Sequence, residues 1–268
     1  MSERLAGGKL LLDSPAEAVV RIRISNPERR NALDHEILDA LAETLPRLEQ
    51  GIETRCVLIT GAPPVFSAGY DLASIPSETF ERDAEALVAH PFHDAMEALA
   101  AHTWPTVAAI NGHCLGGGLE LAITCDLRIC ARGAKLGMPP AKLGLVYGHT
   151  GLRKFLDTVG LPRTKELFLT GRNFSAEEAE RIDLVHETVD DEGFDEAAVE
   201  LAAGIAANAP LSMRGNKQAI EMLNANPVLG EQQERSLIAL RESCFASEDL
   251  REGVEAFAEK RKPRWKGR

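Results

Sequence analysis

Residues 111–130 read NGHCLGGGLELAITCDLRIC. Three consecutive glycines, Gly116 to Gly118, stand beside a carboxylate, Glu120, set inside a run of apolar side chains. Glycine inside a regular element costs roughly 0.5–1 kcal/mol of conformational entropy, so three in a row need a local reason. They follow a strand pattern at 106–110 (TVAAI) and open a helical one. At such a junction the first N–H groups of the helix lack intrahelical acceptors, and the positive end of the dipole faces the same way. Another molecule can approach closely there. A phosphate loop is excluded, because no GK[ST] follows and G-x-G-x-x-G is absent.

Working outward, the chain alternates strand and helix. EAVVRIRIS (17–25) alternates Val20, Ile22 and Ile24 with Arg21 and Arg23, the pattern of a half-buried strand. From Asp34, the residues Ile37, Leu38, Leu41, Leu45 and Leu48 recur at helical spacing. RCVLIT (55–60) reads as a buried strand, GAPPVFSAGYDL (61–72) as a long loop, and an Ala-rich helical region broken by Pro91 follows. DLRICA (126–131) is another strand, and LVHETV (184–189) the last. Pro162 suits a first helical turn, and Ser175 with Glu178 spells a capping box. The alternation predicts an α/β fold with parallel pairing. From about Glu192 only helical patterns remain, and no linker or repeat divides the parts.

Composition narrows the function. The 268 residues are 44% hydrophobic and 26% charged, with a net charge of −11, which argues against nucleic-acid or anionic-membrane partners. The last nine residues, KRKPRWKGR, reverse that sign with six Lys or Arg, either a solvated end or a phosphate contact. Five cysteines without a CxxC pair point to reduced thiols and a cytoplasmic setting, with neither disulfides nor a zinc site. No apolar run approaches ~20 residues, and no signal peptide is legible.

Two chemistries fit the glycine segment. Gly112-His113-Cys114-Leu115-Gly116 has the G-x-C-x-G form of a nucleophile elbow, with His149 or His186 as base and a cysteine hydrolase as the result. That reading leaves Gly117, Gly118 and Glu120 without a role, and no acid partner stands out. The other joins the glycines to FSAGYDL (66–72), whose Ala68-Gly69 presents a second backbone N–H. Two such donors on one oxygen form an oxyanion hole.

NPERRNAL (26–33), VLITGAPPVFSAGYDL (57–72), the segment 105–130 and LFLTGRNFSAEEAERIDLVHETV (167–189) occur in one order. Together with FAEKRKPRW near the end, they resemble the enoyl-CoA hydratase/isomerase (crotonase) superfamily. The resemblance implies a crotonase-like spiral of repeated βαβ turns with a C-terminal helical trimerisation region. Residues 1–191 would then be the acyl-CoA-binding catalytic core. Residues 192–268 would serve oligomerisation and complete the CoA site, in a homotrimer or hexamer.

The substrate implied is an acyl-CoA thioester, with CoA as part of the substrate and no separate cofactor or metal. Position by position, Ala68 and Gly117 match the thioester-oxygen donors. Arg29, Arg30, Ala32, Ala68, Gly69, Tyr70 and Asp71 match CoA-contacting segments. Phe257 and Lys260 match tail residues that approach CoA from a neighbouring subunit.

Glu120 matches one of the two family carboxylates, and its apolar neighbours favour protonation. The second position, within LGMPPAKLGLVYGHTG (136–151), is Pro140, which exchanges no proton. A bare position here with Tyr147 nearby is similar to methylmalonyl-CoA decarboxylase, in which the tyrosine lies near the substrate carboxylate. The expectation is therefore a lyase of decarboxylase type, with Glu120 and Tyr147 as catalytic side chains and His149 in the pocket wall. The alternatives are a hydratase or isomerase using Glu120 alone, or a silent CoA-thioester binder.

Overall fold

The computed structural model describes residues 3–71, 78, 83, 86–226 and 228–268. The front of the Ala-rich region expected before Pro91 lies largely outside these residues. Eleven strands are described, in chain order β1 (Glu3–Leu5), β2 (Leu10–Ala16), β3 (Val19–Ile24), β4 (Cys56–Gly61), β5 (Val65–Ser67) and β6 (Thr106–Ile110), then β7 (His113–Leu115), β8 (Leu127–Ala131), β9 (Lys135–Gly137), β10 (Asn173–Ser175) and β11 (Glu187–Val189). The large sheet runs β1-β2-β3-β4-β6-β8-β11 and the small one β10-β9-β7-β5. From β3 to β11 the large sheet is parallel, and an antiparallel β1–β2 hairpin widens its edge.

The alternation has a simple rhythm. β4, β6 and β8 enter the large sheet, and the strand after each, β5, β7 or β9, enters the small one. Each turn of the chain thus repeats the last, displaced by one strand, which is the spiral expected. The short strand β5 falls inside the segment expected to be all loop. Its three residues are too few to show periodicity, and only pairing with β7 fixes them.

Strand side chains alternate between two cores. Val19, Cys56, Leu58, Val107, Ala109 and Ile129 meet Phe194, Ala198, Ala202 and Ala206 of the helix Phe194–Ala206, a stripe of every fourth residue. Ile22, Ile24, Val57, Ile59, Ala108 and Ile110 point the other way and pack with Ile37, Leu38, Leu41 and Leu45 of the helix His35–Arg47. That helix starts where the sequence places it, with Asp34 accepting the Ile37 N–H at 3.0 Å. The capping box at Ser175 and Glu178 forms in both directions. The long helix His149–Thr170 breaks at Gly160 (φ 70°), and Pro162 begins its second half. Beyond it the described residues are largely helical, through Pro210–Ala225, Glu231–Phe245 and Glu248–Glu259. Among the described residues no helix is long and apolar enough to cross a membrane.

Candidate active site

β5 and β7 are parallel neighbours, so their C-terminal ends leave the small sheet side by side. The chain after β5 (67–71) therefore meets the chain after β7 (115–118). The approach is close enough to require glycine. A Cβ on Gly69, whose φ is +95°, would lie 2.8 Å from the Leu115 carbonyl and 3.0 Å from the Gly117 nitrogen. A Cβ on Gly117 would lie 2.5 Å from Cε1 of Tyr70. The glycine run opens the helix Gly117–Thr124, as its sequence requires.

The backbone donors at this junction sort themselves by their bonds. The Ala68 N–H donates to the Arg30 carbonyl at 3.0 Å, and the Gly69 N–H to Ser67 Oγ at 3.2 Å. Leu33 bridges to Tyr70, so the Leu33 N–H reaches the Gly69 carbonyl and the Asp71 N–H reaches the Leu33 carbonyl. Among the described residues, the N–H groups of Tyr70 and Gly117 have no acceptor. The structure thus differs from the expectation at Ala68. Its N–H is engaged by the 29–33 loop, and beyond Gly69, whose positive φ turns the chain, the Tyr70 N–H points away from that loop.

Glu120 sits one turn into the glycine helix and is only 4% exposed. Burial raises its pKa above the ordinary carboxylate value, opposed by a hydrogen bond from Tyr147 and by the charges of Lys154 and His93. The Tyr147 hydroxyl donates to Glu120 Oε2 at 2.5 Å, and the Tyr70 hydroxyl donates to Tyr147 Oη at 3.0 Å. Burial also pushes both phenols up, so they remain donors. Their rings stack with centroids 6.2 Å apart, braced edge-on by Phe92 and Phe168. Glu120 Oε1 has no hydrogen bond among the described residues.

Tyr70, Glu120, Tyr147 and His149 line one cavity of about 1340 Å³, which continues between the helices His93–Ala101, His149–Thr170 and Pro210–Ala225. Pro140 is buried at the start of the short helix Pro140–Leu143 and is outside that lining. Arg29 and Arg30 are exposed and Ala32 is buried, on the loop that the Arg30 carbonyl ties to Ala68. Asp71 is buried beside them. Phe257 and Lys260 are exposed at the end of the last helix, away from the cavity within one chain. Sequence reasoning missed Lys154 and His93, which act on Glu120 from separate helices. Among the described residues no cluster of three or more His, Cys, Asp or Glu could hold a metal.

The cysteine reading fails on these facts. Cys114 is fully buried in β7, and burial holds its thiol well above the ordinary pKa, with Cys130 and Cys125 adding to the effect. His186 Nδ1 is occupied, accepting the Arg128 N–H at 3.1 Å. Among the described residues no base is hydrogen-bonded to that sulfur, and His149 lines the cavity, whose wall does not include Cys114.

A spiral of two mainly parallel sheets, a glycine-rich helix start and a buried carboxyl mark an acyl-thioester enzyme of the crotonase type. Residues 15–268 match the enoyl-CoA hydratase/isomerase family model, and the chain belongs to that family. It is 37% identical over 251 residues to a probable enoyl-CoA hydratase of Bacillus subtilis, covering 93% of this chain and 95% of that protein. It is 32% identical over 259 residues to the 2,3-dehydroadipyl-CoA hydratase of Escherichia coli, covering 96% and 99%. The crystal structure of an enoyl-CoA hydratase from Bacillus anthracis superposes with a TM-score of 0.88 at 34% identity, covering 97% of this chain and all of that one.

Proposed function

We propose that this enzyme is an enoyl-CoA hydratase or isomerase in which Glu120 is the sole acid–base carboxyl. The observation that carries the reading is the Tyr147–Glu120 hydrogen bond of 2.5 Å, set against a buried proline at the second carboxylate position. The Tyr147 hydroxyl is committed to Oε2, which leaves Oε1 to exchange protons. Its proton is therefore not free for a substrate carboxylate, and the hydratase names of the relatives lend the decarboxylase expectation no support.

The thioester oxygen would be held, as it gains negative charge, by the Gly117 N–H together with a backbone N–H of the 67–71 chain that packs against it. In a double-bond shift, Glu120 takes the proton from the carbon beside the thioester carbonyl and returns it two carbons farther on. The C=C electrons move inward to match, and one group suffices. In hydration, Glu120 accepts a proton from water as its oxygen adds to the β-carbon, and that proton is then delivered to the α-carbon. The lone carboxyl favours the first reaction and the relatives' names favour the second. Arg29 and Arg30, exposed beside the 67–71 loop, would meet the CoA phosphates, and Phe257 and Lys260 would join them from a neighbouring subunit of a trimer or hexamer.

The test is turnover of crotonyl-, 3-enoyl- and methylmalonyl-CoA, followed by mass spectrometry. Either enoyl ester should react, and Glu120→Gln should slow it by ~100–10,000-fold. Brisk CO2 release from methylmalonyl-CoA, with both enoyl esters inert, would restore the decarboxylase reading.

A further inference from the structure

Several charged side chains in the cavity wall take no part in this chemistry. Most are already neutralised within the chain. Arg153 pairs with Asp157 at 2.9 Å, Lys217 with Asp126 at 2.7 Å, and His93 with Glu97 at 3.2 Å. Lys154 is a cavity-lining cation without such a partner among the described residues. It is partly buried, lines the cavity, and makes neither an ion pair nor a side-chain hydrogen bond among the described residues.

Its position follows from the helix that carries it. Gly151 abuts the catalytic pair so closely that a Cβ there would lie 2.6 Å from Glu120 Oε2 and 2.7 Å from Tyr147 Cε1. Residues three apart share a helix face, so Lys154 stands one turn farther along the same cavity wall. Burial works against its charged form, and the carboxylates Glu120, Glu221 and Asp157 act in its favour from a distance. None of these carboxylates lies within ion-pairing distance of the ammonium, so a ligand anion can supply the direct contact that a partly buried cation lacks. The cavity, about 1340 Å³, also exceeds the roughly 300–1,000 Å³ of ordinary small-molecule sites, leaving room beyond the reacting carbons.

We infer that Lys154 is a receptor for a carboxylate at the far end of the acyl chain, so that the preferred substrates are enoyl-CoA thioesters ending in a second carboxylate. The inference rests on the acid–base role of Glu120, which fixes the end of the cavity where the thioester lies. Lys154 would bind the chain after the reacting carbons have passed Glu120. A tuning role for Lys154, acting only on Glu120, would touch every substrate alike.

The experiment compares two 2-enoyl-CoA esters of equal chain length, one ending in methyl and one in carboxylate. Wild type should show the higher kcat/KM on the carboxylate ester. Lys154→Met should lower the ratio of the two values roughly 10–100-fold, mainly through KM, as expected for loss of a charge-assisted contact. Lys154→Arg should recover part of the preference. Equal losses on both esters, or a wild type that prefers the methyl ester or is indifferent, would overturn the inference. Glu120→Gln run alongside keeps the two readings apart. Unchanged turnover of both esters by that variant sinks the acid–base role, whereas a non-selective Lys154→Met sinks only the carboxylate receptor.

Discussion

The glycine helix, 116–124, and the segment 137–151 bring opposite devices to the same reacting end of the cavity. The first offers rigid backbone: a Gly117 N–H without an acceptor among the described residues, Gly117 and Gly118 packed too tightly for a Cβ, and a carboxyl one turn along. The second has a proline where a second carboxyl would stand, and supplies a phenol instead. That phenol does not replace the missing carboxylate, because its proton points at the surviving one. On the proposed mechanism one region moves protons, and the other holds the group that moves them. A site that loses one acid–base partner can keep its remaining carboxyl poised by hydrogen bonding.

The sharpest way to break this contrast is at Gly117. Gly117→Pro removes one of the two proposed oxyanion donors at a first helical position, where proline suits the backbone, although its ring must displace the Tyr70 side chain that a Cβ there would meet at 2.5 Å. Activity should fall ~100–1,000-fold with the circular dichroism spectrum retained. Retained turnover in a folded variant would remove Gly117 from the site. On the other side, Tyr147→Phe deletes the hydrogen bond to Glu120 and should cost roughly 10–150-fold at neutral pH. That bond favours the ionised carboxyl, so its loss raises the pKa of Glu120 further. The acid limb of the pH–rate profile should then move to higher pH. A profile that stays in place would mean the phenol packs without tuning.

The smallest expected effect is on stability. The folded-state pKa of Glu120 is raised, so the folded protein binds its proton more tightly than the unfolded chain does. The contribution favours folding below the unfolded pKa and is lost as pH rises through the folded one. Glu120→Gln should therefore be more stable than wild type at neutral pH, by on the order of 1 kcal/mol, or a few degrees in Tm. The gap should close on acidification. A variant less stable at every pH would show that the carboxylate is satisfied in ways the Tyr147 bond does not account for.

What the sequence made legible follows from the range of the interactions. Val20, Ile22 and Ile24 mark β3 by simple alternation, and Asp34 marks its helix by a side chain reaching three residues. The glycine run and Glu120 were readable because both belong to one local turn. β1 and the strand LLLDSPA of β2 carry no clean alternation and depend on pairing with each other and with β3. The bond from the Ala68 N–H to the Arg30 carbonyl joins segments far apart in sequence, and no local pattern announces it. Lys154 was silent for the same reason, since its meaning comes from Gly151 lying against Glu120.

The central claim is that Glu120 alone exchanges the proton beside the thioester carbonyl. Incubating 3-enoyl-CoA with enzyme in D2O and following the α-carbon by mass spectrometry measures that exchange without requiring a completed turnover. Wild type should wash deuterium into the α-position, and Glu120→Gln should do so at least ~100-fold more slowly. Exchange at the wild-type rate in a folded Glu120→Gln enzyme would contradict the account and place the base elsewhere in the cavity.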